Sequence, residues 1–210
     1  MDSTDKYGVF IIESLTLEDE ETGKTDGEIL QTVLDICEIE NRYFYIRTSH
    51  ELEEIVKEFQ KSEYRYLHLS CHASSEEIAF TFESLYFHEV ADILNPYLAG
   101  KRIFLSACSA ANIEFAKTLV STSKSYSLIG SPEPIRFDKS AVFWSSYYHL
   151  MFNQNERRMG QPEMKRAIQK LVNLFEVPIN YYSFIRGSET EIKENLIRPK
   201  EKIVSSRITI

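Results

Sequence analysis

Two apolar segments of the sequence each end in a side chain that can do chemistry. "YLHLSCH" ends in His72, and "IFLSACS" carries Cys108 where its apolar run stops. A cysteine attacks as a thiolate, and a histidine within hydrogen-bonding reach can take the thiol proton and later return it to a leaving group. If the two segments form neighbouring parallel strands, their ends lie about 5 Å apart. The pair therefore predicts nucleophilic chemistry by Cys108, with His72 as base and acid.

The elements that must position this pair alternate between strand and helix. Short β-branched and aromatic runs predict strands, and apolar residues at helical spacing predict helices between them. The predicted strands are 7–14, 42–48, 64–72, 101–108 and 126–131. The predicted helices are 27–39, 49–61, 87–100 with a stop or a kink near Asn95 and Pro96, 111–123, 141–152 and 163–175, and a short hairpin is expected within 76–87.

This alternation predicts an α/β fold with a mainly parallel central sheet and helices on both faces. At 210 residues the chain fits one domain, spanning 1–210, better than two. In open α/β sheets the reacting groups collect beyond the carboxyl ends of the strands, where both His72 and Cys108 lie. The acidic segment 17–27 is interpreted as a solvated, mobile loop, with a cleavage or docking segment as its alternative.

Composition and charge exclude several classes of partner and location. The formal net charge is −8 and no basic stripe occurs, so nucleic acid is not an expected partner. The first residues carry two aspartates and no long apolar run, so we expect no targeting peptide, and no segment has the length of a membrane span. The expected location is the cytoplasm, with no membrane partner and with all three cysteines as thiols.

The sequence predicts neither a metal nor a cofactor. It contains no Cys-x-x-Cys pair, and the adjacent Cys71 and His72 point to opposite sides of a strand. No glycine-rich phosphate-binding motif occurs. Cys71 is interpreted as a packed core thiol and His68 as a core histidine. The aromatic stripe of helix 141–152 has helical spacing and is interpreted as core.

Three blocks of the sequence resemble the caspase-like cysteine peptidases, especially their CHAT branch. "YLHLSCH" is similar to that family's strand ending in a histidine, and "GKRIFLSACSAAN" to its strand ending in Ala-Cys. "IRFDKSAVFWSSYYHLMF" looks like its aspartate followed by an alanine and an aromatic helix. The resemblance covers residues 64–152 and implies a caspase-like three-layer sandwich.

The resemblance also implies roles for individual residues. Cys108 would be the nucleophile and His72 the general base and acid of peptide-bond hydrolysis. Ser106 would lie near the substrate-binding strand, and Asp138 in a loop bordering the pocket for the residue before the scissile bond. Further candidates for the walls of that pocket are Glu13, Glu133 and Arg136. The acidic members would favour Arg or Lys in the substrate, whereas Arg136 could reverse the sign.

The backbone N–H groups of Ala73 and Cys108 are predicted to stabilise an oxyanion, that of Cys108 at the start of a following helical turn. The family usually has glycine where this chain has Ala73, whose methyl group restricts the backbone.

The function expected from these residues is a regulated cysteine endopeptidase acting on a protein or peptide substrate. Such peptidases are held inactive until a ligand, a partner or cleavage orders their loops, so a regulatory protein partner is implied, in a prokaryotic defence or stress setting. The main alternative is a catalytically silent caspase-like module that binds a partner through the same cleft. A flavodoxin-like signalling domain also fits the alternation but leaves His72 and Cys108 unexplained.

Overall fold

The structure is a computed structural model that describes residues 6–153, 158–185, 188 and 191–200. The predicted single domain 1–210 includes residues outside these ranges and stays a prediction. In the described part, at least one helix connects each of the first five strands of the main sheet to the next. The strands are β1 Lys6–Ser14, β2 Asn41–Tyr45, β3 Tyr64–Ala73, β4 Glu77–Ala79, β5 Ser84–Tyr86, β6 Arg102–Ser106, β7 Ser127–Gly130, β8 Ile179–Phe184 and β9 Ile192–Ile197. The α-helices are α1 Leu17–Glu21, α2 Asp26–Ile36, α3 Ser49–Ser62, α4 Phe87–Leu94, α5 Ile113–Ala116, α6 Phe137–Asn153 and α7 Gln161–Phe175.

One sheet runs through the molecule in the order β2-β1-β3-β6-β7-β8-β9. The first five of these strands are parallel; β8 pairs antiparallel with β7, and β9 pairs antiparallel with β8. The hairpin of β4 and β5 pairs with the end of β3, with Ala79 opposite His72. The mainly parallel α/β sheet predicted from the alternation is thereby confirmed. Because β3 and β6 are neighbours, the ends that carry His72 and Cys108 lie side by side.

Helices cover both faces of the sheet and produce three layers. Apolar residues of α3, α4 and α5 pack on one face, around Val56 and Phe115. Residues of α2, α6 and α7 pack on the other, where the aromatic stripe of α6 meets Phe104. The central strands are buried on both sides, as β3 shows along most of its length. Burial on both faces accounts for the continuous apolar runs in the sequence.

Two local expectations are wrong. The acidic segment 17–27 is largely exposed, as expected, but it is not a loop, because it contains α1 and the start of α2, and within it Asp19 and Asp26 are buried. The helix expected over 111–123 is found over 113–123, as α5 followed by a π-helical segment, but the Cys108 N–H is not at the start of a helical turn. Cys108 therefore lies in a loop before the helix and not in its first turn.

Candidate active site

His72 and Cys108 line one cavity at the carboxyl edge of the sheet. The cavity has a volume of about 120 Å³ and lies between the ends of β3 and β6 and the segment that leads into α6. Its wall residues are Asp26, Cys71, His72, Ser106, Ala107, Cys108, Ile135, Arg136, Phe137 and Ser140. The parallel pairing of β3 with β6 brings the two residues to the same place.

A tight turn after β6 presents Cys108. Ser109 has a φ of 57°, a left-handed conformation that costs an L-residue about 1–2 kcal/mol. The turn packs closely on β7 at Gly130, where an added Cβ would meet the Cβ of Leu105 at 2.8 Å and that of Ala111 at 3.0 Å. Gly130 therefore leaves the space that the turn occupies. Backbone strain of this kind is characteristic of functional sites.

The segment before α6 closes over both reactive side chains. The backbone N–H of Ile135 donates to Cys108 Sγ at 3.4 Å. Phe137 meets the His72 ring edge-on, with ring centroids 5.1 Å apart. Cys108 is half-buried, and so is the side chain of His72. Both side chains are thus held in place and remain open to the cavity.

His72 also contacts a carboxylate that the sequence interpretation did not single out. Its Nε2 lies 2.7 Å from Oδ2 of Asp19, on the short helix α1. Thr16 Oγ1 donates to the same oxygen at 2.6 Å, and Lys24 Nζ lies 3.1 Å from Oδ1. Burial alone would raise the pKa of Asp19, but the hydrogen bonds from Thr16, His72 and Lys24 outweigh it and lower the pKa to about 2. Asp19 is therefore ionised at neutral pH.

A second pair of carboxyl groups, Glu13 and Asp26, lies beneath the cavity. Glu13 is fully buried and accepts hydrogen bonds from the Gly27 N–H at 2.8 Å and from the Tyr43 hydroxyl at 2.8 Å. Asp26 is contacted by the hydroxyls of Ser70 and Ser106. Asp26 is also one of the residues that form the cavity wall.

The hydrogen-bond inventory indicates that this pair shares a proton. The Ser70 hydroxyl contacts both Glu13 Oε1 and an oxygen of Asp26, yet a serine hydroxyl has one proton to donate. It can satisfy both contacts only if one carboxyl group is protonated and donates in turn. Burial, followed by the charge of Asp26, raises the pKa of Glu13 to about 7. Burial also raises the pKa of Asp26, so both carboxyl groups resist ionisation.

The structure brings only some of the predicted substrate-binding residues to the cavity. Ser106 and Arg136 are part of its wall, and Glu13 lies directly behind Asp26. Asp138 is exposed and receives two hydrogen bonds of 3.0 Å from the Arg136 guanidinium. Glu133 faces solvent, 3.9 Å from Arg198. Neither Asp138 nor Glu133 is part of the cavity wall, whereas Asp26 is.

The backbone at Ala73 is ordinary extended strand. Ala73 is the last residue of β3, is paired with Ile78 of β4, and has no positive φ. An alanine therefore fits where the resembled family usually has glycine. The oxyanion role of the Ala73 and Cys108 N–H groups stays a prediction.

The two acidic residues that the interpretation missed left weak signals in the sequence. Thr16 and Asp19 have the spacing of a helix N-cap and its N3 residue, and the Thr16 hydroxyl caps α1. Asp26 begins α2 and directly precedes the helix predicted over 27–39. Neither signal indicates a side chain directed at a site that other strands build.

Comparison with known proteins supports the fold alone. No protein-family model matches the chain, and no curated protein matches it in sequence. Among solved structures, it is similar to a secreted C11 cysteine protease from Bacteroides thetaiotaomicron, solved with an irreversible peptide inhibitor. The match has a TM-score of 0.52 at 9% identity and covers 84% of this chain and 66% of that one. The chain thus shares its α/β fold with a caspase-like cysteine protease.

The described residues set further bounds on the site. None of their helices is long and apolar enough to cross a membrane. Over the same part of the chain, no three His, Cys, Asp or Glu side chains gather as a metal site would require.

Proposed function

We propose that the protein is a cysteine endopeptidase in which His72 and Cys108 cleave a peptide bond. The observation that carries the proposal is that both side chains line one cavity at the carboxyl edge of the sheet. The similarity to a C11 cysteine protease supports it at the level of the fold. The CHAT-type resemblance adds a protein partner that regulates the peptidase and a prokaryotic defence or stress setting; the cytoplasmic location expected from the composition is part of the same proposal.

The proposed reaction needs no group beyond these side chains and water. His72 takes the proton of Cys108 Sγ, and the thiolate attacks the carbonyl carbon of the scissile bond. Backbone N–H groups of Ala73 and Cys108 stabilise the resulting oxyanion. The imidazolium then protonates the leaving amine as the C–N bond breaks, which leaves a thioester on Cys108. Water, deprotonated by His72, hydrolyses the thioester and restores the free thiol.

The substrate class within this proposal is a peptide with Arg or Lys before the scissile bond. Asp26 is the carboxyl group in the cavity wall, and the hydroxyls of Ser106 and Ser140 lie beside it. Arg136, which could oppose a basic residue, is neutralised by Asp138 and largely exposed. Asp26 is therefore the acidic group of the cavity, and a basic side chain that enters the cavity would favour the ionised form of this carboxyl group and pair with it.

A peptide library tests both parts of this proposal. The wild type, Cys108→Ala, Asp26→Asn and Asp138→Asn are each incubated with a mixed library, and mass spectrometry identifies the cleavage sites. We expect cleavage after Arg and Lys in the wild type and none in Cys108→Ala. Asp26→Asn should reduce cleavage after basic residues by about 10²- to 10⁴-fold, since removing one partner of a buried charge pair costs about 3–5 kcal/mol. Asp138→Asn leaves the Arg136 guanidinium unpaired, but that group is largely exposed and screened by water, so this change should weaken the preference much less than Asp26→Asn.

Other outcomes separate the parts. Full activity in Cys108→Ala would refute the peptidase. Loss of the basic preference in Asp138→Asn but not in Asp26→Asn would move the specificity to the rim of the cavity. Silence of all four proteins, with a Cys108 no more reactive than an ordinary thiol, would favour the catalytically silent module.

A further inference from the structure

We infer that Asp19 is a positioning residue for the pair His72/Cys108, and that α1 is the element that delivers it. Asp19 touches His72 and is not part of the cavity wall, so it acts through the imidazole and not on the substrate. The inference deepens the proposed function. It depends on that proposal for the identity of the reaction but not for the activation of the thiol.

Asp19 determines which nitrogen of His72 serves as base. An ionised carboxylate can only accept hydrogen bonds, so a contact of 2.7 Å requires the proton on Nε2. In the neutral ring the other nitrogen, Nδ1, then carries the lone pair that takes the proton of Cys108. When His72 becomes an imidazolium, the same carboxylate faces the new positive charge. Asp19 thus selects the productive tautomer and stabilises the ion pair.

The segment around α1 is anchored as a positioning element would need to be. The Leu15 N–H donates to the Tyr45 hydroxyl at 3.1 Å, and that hydroxyl donates to Glu20 at 2.6 Å. Arg47 binds the other oxygen of Glu20 at 2.7 Å. On the opposite side, Thr81 Oγ1 donates to the Leu15 carbonyl at 2.7 Å. Contacts from β2, from the residues after it and from the β4–β5 hairpin therefore hold α1 over the strand ends.

Other charged groups near the pair lie on different elements. Lys24, between α1 and α2, contacts Oδ1 of Asp19, the carboxylate oxygen that does not contact His72. Asp26 at the start of α2 and Arg136 before α6 line the cavity with His72. A test of Asp19 must therefore separate its effect from a general change of charge.

The rate at which iodoacetamide alkylates Cys108 in the full-length chain measures thiol activation directly and needs no substrate. Peptide mass spectrometry follows Cys108, with Cys37 in the same protein as internal control. We expect Asp19→Asn to slow alkylation of Cys108 about 10²-fold near pH 7, the scale of general-base assistance. Asp19→Glu should restore part of the rate because it keeps the charge. Glu18→Gln, which removes an exposed carboxylate from the same helix, should change nothing.

The dependence on pH distinguishes positioning from structural damage. Near pH 10 an ordinary thiol ionises without help, so Asp19→Asn and the wild type should then react at similar rates. A wild-type rate in Asp19→Asn at neutral pH, or an equal slowing at both pH values, would overturn the inference. If alkylation behaves as expected while the wild type cleaves no peptide in the library, the role of Asp19 stands and the proposed peptidase fails.

Discussion

The two histidines of β3 lie four residues apart on the same face of the strand, yet they have opposite environments. His68 is fully buried beneath α6, edge-on to Trp144 and with its Nδ1 3.3 Å from the Tyr148 hydroxyl. Burial lowers the pKa of His68 to about 3, so its ring stays neutral in the folded protein at ordinary pH. His72, at the end of the strand, is partly exposed and contacts the ionised Asp19.

The difference shows how a parallel sheet divides one residue type into two roles. The middle of the sheet is covered by aromatic side chains, which exclude water and offer no counter-charge to an imidazolium. Its carboxyl edge is where chains turn, so carboxylates, hydroxyls and backbone N–H groups can approach a side chain there. Position along the strand, and not residue type, makes a histidine a structural ring or a base.

The same substitution at both positions should have very different effects, and the larger is at His72. We expect His72→Phe to reduce peptide cleavage by about 10⁴-fold, since it removes the base and the acid from every turnover. Its thermal unfolding should stay close to that of the wild type, because the ring it replaces is partly exposed. Cleavage rates and thermal denaturation of the same samples measure both effects. Substantial residual cleavage would show that another group activates Cys108.

An effect of intermediate size, on the pH dependence of stability, is expected from the buried carboxyl pair Glu13 and Asp26. The pKa of Glu13 is about 7 in the folded protein, above its value of 4.5 in an unfolded chain. Between these values the folded state binds more protons, so stability falls as pH rises from about 4.5 to 7, by an amount on the order of 3 kcal/mol. Glu13→Gln should lose this part of the pH dependence.

Urea denaturation at about pH 5 and pH 8 measures this pH dependence of stability, in a Cys108→Ala background that prevents self-cleavage. Glu13→Gln is expected to be less stable at both values, because its amide would face donors from Tyr43 and Gly27. The quantity to compare is therefore the change in unfolding free energy between the two pH values, and Glu18→Gln is the matched exposed control. If Glu13→Gln leaves this change as it is, Glu13 is ionised in the folded protein throughout this range.

The smallest effect is expected at His68. His68→Phe keeps an aromatic ring of similar size against Trp144 and gives up one long hydrogen bond to Tyr148. Near neutral pH we expect a change in unfolding free energy within about 1 kcal/mol and unaltered cleavage. A large loss of cleavage with normal stability would show that His68 influences the carboxyl edge of the sheet, and would contradict a purely structural role for its ring.

Local pattern was sufficient for much of this molecule. The alternation of β-branched runs with amphipathic segments predicted a mainly parallel α/β sheet, and the aromatic stripe of α6 is core as its spacing indicated. The pair His72 and Cys108 could be selected from the ends of two apolar runs, because parallel strands end at a common edge. These features depend on neighbours in sequence or on the general rule for parallel sheets.

Only the tertiary structure decided what surrounds the pair. Asp19 and His72 are separated by 53 residues, and Asp26 and Ser106 by 80. These contacts exist because β1 lies beside β3, so the chain that leaves β1 passes over the strand ends before α2 begins. In the sequence, Asp19 and Asp26 are part of the acidic segment 17–27, which resembles any solvated loop. A carboxylate becomes a buried partner through the strand order, which no local pattern of charge encodes.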